Sequence, residues 1–106
     1  MKKLEDSDRT NMTSFYGDVF NASVEDLKSI LGEPISSEND GEDKVNFDWA
    51  METESGQVFT VYDWKQYRSL SEFEIVEWHI GGHTSSVTAE ALAEIEGALN
   101  NMELTK

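Results

Sequence analysis

Residues 44–52 read Lys44-Val45-Asn46-Phe47-Asp48-Trp49-Ala50-Met51-Glu52. Apolar side chains occupy the odd positions from 45 to 51, and mostly polar side chains occupy the even ones. This period of two predicts a β-strand with one face in a core. The turn residues Glu54-Ser55-Gly56 and the apolar run 57–65 predict that the chain returns as a hairpin. A third strand-like run covers residues 73–80.

Helical patterns flank these strands on both sides. Ser23 has the side chain of an N-cap, residues 24–31 follow at helical spacing, and Gly32 ends the helix. Residues 86–101 carry an apolar stripe with a four-residue spacing. Residues 14–20 predict an edge strand or a packed lead-in. We therefore expect an α+β fold, with an antiparallel three- to four-stranded sheet and two helices packed on one face.

The chain has 106 residues, and 22 acidic residues oppose 8 basic ones, for a formal net charge of −14. We expect residues 1–12 to form a flexible tail and residues 13–106 a single domain. The charge disfavours direct contact with nucleic acid or membranes and favours basic partners, although solubility alone explains it equally well. There is no cysteine. The first residues lack an apolar segment, which favours the cytoplasm over export.

The second hairpin strand carries apolar residues on both faces, unlike the first. A three-residue turn aligns Trp49 with Val61, whereas a two-residue turn aligns Trp49 with Tyr62. Either register leaves Tyr62 and Trp64 outside the helix-covered core. The tail or a loop covers them, or they form a partner face, extended by Phe73 and Ile75.

A second set of candidate residues combines aromatic, basic and glycine residues near the ends of two strands. In such a site rings stack on a base, cations bind phosphate, and a glycine turn before a helix presents free amides. The simpler interpretation is a strand-to-helix turn with charge-balancing cations. The candidate ligand-binding residues are Tyr62, Trp64, Lys65, Arg68, His79, Gly81, Gly82 and His83.

Signatures of catalysis and of cofactor binding are missing from the sequence. It contains no nucleophile elbow and no phosphate-binding glycine loop, and pairs of carboxylates are unavoidable at this acidity. His79 and His83 have the spacing of a helical zinc pair, but they lie at a strand end. We therefore expect no enzyme activity, no catalytic residue, no metal site and no cofactor.

Four short motifs lie between residues 31 and 82: Leu31-Gly32-Glu33-Pro34, Lys44-Val45-x-Phe47-x-Trp49, Tyr62-Asp63-Trp64-Lys65 and Trp78-His79-Ile80-Gly81-Gly82. Their combination resembles uncharacterised small bacteriophage accessory proteins. The resemblance implies a context in which such proteins block host machinery or antiviral defence, acting in the host cytoplasm.

Charge and resemblance together lead to a first functional hypothesis. The chain is a non-enzymatic phage-type inhibitor, or binding module, that presents an acidic surface to a basic, nucleic-acid-binding site of a host or defence protein. The alternatives are a protein that sequesters a small anionic nucleotide signal and a homodimeric interaction module. The acidic candidates, which we expect to be the most exposed contributors, are Asp40, Glu42, Asp43, Asp48, Glu52 and Glu54.

Overall fold

The computed structural model describes residues 1–4, 10, 12–35, 37, 39, 41 and 44–104. In chain order the elements are β1 (Lys2–Lys3), β2 (Ser14–Ala22), α1 (Val24–Leu31), β3 (Asp48–Glu52), β4 (Val58–Tyr62), β5 (Val76–Gly82) and α2 (Ser85–Leu104). The strands form one antiparallel sheet in the order β1-β3-β4-β5-β2. The α+β class is confirmed, but the sheet has five strands rather than three to four.

The two additional strands lie at the edges of the sheet. β2 pairs with β5 from Ser14↔Gly82 to Ala22↔Val76, with a register shift between residues 15 and 19. β1 lies within the predicted tail and pairs with β3. A strand of only two residues is too short to show an alternating pattern, which is why the sequence does not predict β1. The remaining predicted tail at residues 5–9 and 11 lies outside the described residues.

The β3–β4 hairpin has the register of the three-residue turn. Trp49 pairs with Val61, and the amide of Thr53 donates to the carbonyl of Gln57 at 2.8 Å. Gly56 adopts a φ of +86°, which a glycine reaches without a steric penalty. This turn places Trp49 and Val61 on the same face of the sheet.

Helix α1 is fixed by a cap and by two tryptophans. The Ser23 hydroxyl accepts from the amide of Asp26 at 3.1 Å, as the N-cap prediction requires. The indole of Trp78 donates to the carbonyl of Ala22 before the helix, and the indole of Trp49 donates to the carbonyl after it. Burial of each indole therefore leaves no donor unpaired.

The main core lies between the sheet and both helices. It unites the inward side chains of β2 to β5 with the apolar faces of α1 and α2. None of the described helices combines the length and the apolar character needed to cross a membrane. The largest fully buried apolar side chains are Trp49, Trp78, Phe59, Leu27, Met51, Ile80 and Ile95.

Candidate functional site: the open aromatic end of the sheet

The sheet face opposite the helices is divided into two unequal parts. At one end Leu4 packs with Ala50 and Val58 in a small buried cluster, and its amide donates to the carbonyl of Ala50. At the other end, apolar side chains remain accessible. Of the described residues before β2, Leu4 therefore covers one part of the second face, and the binding interpretation applies to the part whose apolar side chains stay accessible.

Five residues define what we call the aromatic face: Phe15, Val19, Tyr62, Trp64 and His79. Tyr62 pairs with His79, which pairs with Val19, so three strands place these side chains in one row. Directly opposite positions in adjacent antiparallel strands share a face of the sheet. Phe15, Val19 and Trp64 are 44%, 36% and 39% exposed, an unusual exposure for neighbouring apolar residues on one surface.

The rings of the aromatic face contact one another. Phe15 stacks on His79 with 4.3 Å between ring centroids and 18° between planes. The centroid of the Tyr62 ring lies 5.6 Å from that of His79 and 6.1 Å from that of Trp64. Such offset and edge contacts are favourable beyond the area that they bury. The result is a continuous aromatic surface with Tyr62 and His79 at its centre.

Gly81 provides the space beneath these rings. A Cβ atom at this position would lie 2.5 Å from the Thr60 hydroxyl and 3.6 Å from a ring carbon of Tyr62. Gly82 faces the other way, where a Cβ would lie 2.9 Å from a methyl group of Thr88 in α2. The two glycines thus permit close packing on opposite faces of β5.

Two lysines flank the exposed indole of Trp64. The ammonium group of Lys65 lies 5.5 Å from the ring centroid, and that of Lys44 lies 5.9 Å away. Both distances suit a cation–π interaction. Cations are scarce in this chain, so their convergence on one ring distinguishes this edge of the aromatic face from the acidic remainder.

A buried carboxylate positions the segment that carries Trp64. Asp63 is fully buried and accepts from the amides of Asn46 and Phe47 at 2.8 and 2.9 Å, and from the side-chain amide of Asn46 at 3.0 Å. Asn46 in turn donates to the carbonyl of Arg68 and accepts from the amide of Gly41. This network joins the segment before β3 to the segment after β4, and so brings Lys44 to Trp64.

The same segment contains two strained residues. Lys65 and Tyr67 adopt φ values of +54° and +51°, a region that non-glycine residues seldom occupy. The amide of Lys65 donates to the carbonyl of Lys44 at 2.8 Å, which helps to hold this backbone. Strain of this kind is retained where the surrounding structure imposes it, often at binding sites.

The electrostatics of the aromatic face centre on Asp48, which lies directly opposite Tyr62. Burial, with a smaller contribution from the Asp63 carboxylate, raises the pKa of the Asp48 carboxyl to about 6. Burial and the nearby Asp48 also raise the pKa of the Tyr62 phenol. An ionised Asp48 is therefore poorly solvated at this position.

The structure brings together only part of the predicted ligand-binding set. Tyr62, Trp64 and His79 form the aromatic face, with Lys65 beside it. Arg68 instead forms a bidentate ion pair with Glu74, in which two guanidinium nitrogens donate to the two carboxylate oxygens at 2.8 and 2.9 Å. His83 is exposed beyond β5, where its carbonyl accepts from Tyr16.

The predicted turn at Gly81 and Gly82 is wrong, because both residues lie inside β5 and pair with β4 and β2. Their amides belong to a sheet ladder and do not form the predicted amide-presenting turn before α2. Phe73 and Ile75 are exposed, at 72% and 66%, but they belong to the connection before β5. In the described part of the chain, the Phe73 ring stacks on none of the rings of the aromatic face.

The predicted acidic set is also divided. Glu54 is exposed in the hairpin turn, but Asp48 and Glu52 are half-buried, and Glu52 lies 3.6 Å from the ammonium group of Lys2. The expectation that these two are among the most exposed acids is wrong, because the second face of β3 is partly covered. Asp40, Glu42 and Asp43 lie outside the described residues.

Comparison of the chain with known protein families, curated proteins and solved structures finds no match.

The sequence pattern does not predict three residues at this site, namely Phe15 and Val19 in the aromatic face and Lys44 beside it. Phe15 and Val19 reach it through the pairing of β2 with β5, which joins distant parts of the chain. Lys44 reaches it through the hydrogen bonds around Asp63. The apolar run at residues 14–20 is the signal for the first two, but it does not reveal the strand order.

Proposed function

We propose that the chain is a non-enzymatic binding module that docks onto a basic surface of a partner protein. Its aromatic face forms the centre of the contact, and its net negative charge steers the partner toward it. In the finer form of this proposal, the basic surface is a nucleic-acid-binding site of a host or defence protein. The module then inhibits by occupying that site, as the resemblance to phage accessory proteins implies.

The observation that carries this proposal is the accessible cluster of rings on a rigid sheet. Protein interfaces are enriched in aromatic residues at their centres, and a few such residues supply most of the binding free energy. Tyr62 and Trp64 are positioned by strand pairing and by the Asp63 network rather than by a mobile loop. Little conformational freedom is therefore lost when a partner binds.

Charge supports the choice of a basic partner. The chain has a formal net charge of −14, and a field of that sign accelerates association with cationic surfaces and opposes contact with phosphates. Asp48 places one carboxylate beside the rings, and Glu77 lies on the same face, 3.9 Å from the His79 imidazole. These acids complement cations of a partner at short range.

The test begins with co-purification from host cells and identification of the bound protein by mass spectrometry. Its affinity for the purified chain is then measured by calorimetry, with Trp64→Ala and with Phe73→Ala as the matched control. We expect Trp64→Ala to weaken binding about tenfold or more, Phe73→Ala to change it less than about twofold, and salt to weaken binding steeply. Equal effects of the two variants, or binding insensitive to salt, would contradict the proposal.

A second candidate function rests on Lys44 and Lys65. Two ammonium groups beside an exposed indole are suited to a nucleotide, whose base stacks on the ring while phosphate contacts the lysines. Under this proposal the chain sequesters a small anionic nucleotide signal. A thermal-shift screen with cyclic and linear nucleotides tests it, since a ligand that binds the folded chain raises its melting temperature. The absence of any shift would exclude this candidate.

The homodimer alternative makes its own prediction from the same surface. If two copies cover each other's aromatic faces, light scattering on a sizing column gives a dimer mass, and Trp64→Ala converts the dimer into a monomer. A monomer mass for the unmodified chain at high protein concentration leaves the face available for a different partner. This measurement should precede the binding experiments.

A further inference from the structure

We infer that the Asp48 carboxylate and the adjoining Tyr62 ring form a receptor for the guanidinium group of an arginine on the partner. This inference rests on the proposed function and specifies the chemistry that the aromatic face recognises. It also makes Asp48, and not Trp64 alone, a determinant of specificity.

The Asp48 carboxylate has unused acceptor capacity. Its backbone carbonyl accepts from the amide of Ile35 at 2.7 Å, but no described residue donates a hydrogen bond to its side chain. Among the described residues no buried side-chain oxygen is left without a partner, so an Asp48 oxygen that accepts no hydrogen bond is open to solvent. A half-buried carboxylate of this kind gains more than an exposed one when a donor arrives.

The surroundings of this carboxylate favour a bound cation. Asp48 faces Tyr62 across the β3–β4 ladder, and the buried Asp63 adds a second negative charge nearby. Burial and Asp63 together raise the pKa of Asp48, so its ionised form is disfavoured by its own protein. A cation placed against the Asp48 carboxylate would offset both its loss of solvation and its repulsion by Asp63.

The aromatic ring next to this carboxylate favours arginine over lysine. A guanidinium group is planar, can donate two parallel hydrogen bonds to one carboxylate, and stacks on aromatic faces. Tyr62 supplies such a ring directly across the ladder from Asp48, and the His79 ring extends this aromatic surface, with 5.6 Å between the Tyr62 and His79 centroids. An ammonium group satisfies the charge but neither the planar stacking nor the paired hydrogen bonds. The site should therefore prefer arginine at equal net charge.

The position of the two lysines agrees with this assignment. Lys44 and Lys65 contact Trp64, at the edge of the aromatic face next to the connection after β4. Asp48 instead occupies the row of Tyr62 and His79. A phosphate bound to the lysines would use the indole edge, whereas a guanidinium group would use the Asp48–Tyr62 row, so the two ligand classes can be separated by mutation.

The test uses two synthetic peptides of equal length and charge, one with arginine and the other with lysine at every basic position. Their affinities are measured by fluorescence anisotropy for the unmodified chain, Asp48→Asn and Glu25→Gln. Glu25 is an exposed acid of α1, so its substitution is a matched control for the loss of one charge. We expect the arginine peptide to bind more tightly, Asp48→Asn to weaken it about tenfold, and Glu25→Gln to change it less than about twofold.

The outcomes separate this inference from the proposed function. Equal affinities for the two peptides, or equal effects of Asp48→Asn and Glu25→Gln, would overturn the arginine receptor while leaving a basic partner in place. Failure of both peptides to bind, together with nucleotide binding that depends on Lys44 and Lys65, would overturn the proposed function itself. Amide shifts in an NMR titration that are largest around residues 48 and 62 would support the assignment directly.

Discussion

Trp49 and Trp78 pack edge to face, with 5.6 Å between their ring centroids and 78° between their planes. Their indole nitrogens donate in different directions, at 2.8 Å to the carbonyl of Gly32 and at 2.9 Å to the carbonyl of Ala22. These two carbonyls flank α1. The pair therefore fills the centre of the core and fastens both ends of the first helix to the sheet.

Replacement of Trp49 by phenylalanine tests this double role. The variant loses buried volume and leaves the carbonyl of Gly32 without its donor, so we expect the free energy of unfolding to fall by about 2–4 kcal/mol. Trp64→Phe is the control, because its exposed ring should cost less than about 1 kcal/mol. Urea denaturation measures both. Equal losses would show that the Trp49 indole has no special role.

Asp63→Asn tests the network that positions Trp64. The substitution places a donor against the side-chain amide of Asn46, which cannot turn over without losing its bonds to Arg68 and Gly41. We expect a loss of about 2–3 kcal/mol and faster amide exchange in residues 64–68. Glu33→Gln, at an exposed acid, should change neither quantity. Unchanged exchange in Asp63→Asn would show that the network does not hold this segment.

Gly81→Ala tests the close approach beneath the aromatic face. The added Cβ would lie 2.5 Å from the Thr60 hydroxyl, so we expect a loss of about 1–3 kcal/mol. Thr60→Ala removes the conflicting oxygen, and the double variant should recover most of that loss. Gly97→Ala, whose Cβ would meet no atom within 4 Å, should instead stabilise α2 by up to about 1 kcal/mol. Failure of Thr60→Ala to rescue would contradict the steric explanation.

Asp48→Asn tests the raised pKa of that carboxyl. A carboxyl with a higher pKa in the folded state than in the unfolded state binds more protons when folded, so stability falls as the pH rises between the two values. Asparagine does not ionise, so the Asp48→Asn variant avoids this fall in stability as the pH rises. One pKa unit is equivalent to about 1.4 kcal/mol, and solvent screens a half-exposed group, so we expect a gain of about 1–2 kcal/mol at about pH 7.5.

The pH profile of this gain provides the check. The difference between Asp48→Asn and the unmodified chain should shrink as the pH falls below about 6, and it should vanish near pH 4, where Asp48 is protonated in both states. Thermal denaturation in a series of buffers measures it. A gap that widens toward acid would mean that the folded state lowers the pKa of Asp48 instead.

Local patterns predicted the elements that depend on local physics. The alternation at residues 44–52 identified Trp49 and Met51 as core residues of a strand, and Ser23 identified the start of α1. The paired glycines Gly81 and Gly82 predict a turn between a strand and a helix. They instead pair with β2 and β4 inside β5, and glycine is needed there because Thr60 and Thr88, both distant in the sequence, leave no room for a Cβ. That requirement comes from tertiary packing and leaves no local pattern.

The candidate site was predictable to a similar degree. Apolar residues on both faces of β4 indicated that Tyr62 and Trp64 lie outside the main core. The contribution of Phe15 depends on the strand order, and that of Lys44 depends on a buried carboxylate sixteen or more residues away from its partners in the network. Long-range pairing and buried polar contacts are not encoded in hydrophobic periodicity.

The pairing of β2 with β5 also determines how the chain matures as it is synthesised. β2 emerges early, but its partner spans Val76–Gly82, so Phe15 and Tyr16 leave the ribosome long before a strand exists to receive them. We expect the β3–β4 hairpin to form first, because its strands are neighbours in the chain. A nascent chain interrupted before residue 76 would therefore display an unpaired aromatic segment, which is the kind of sequence that chaperones bind.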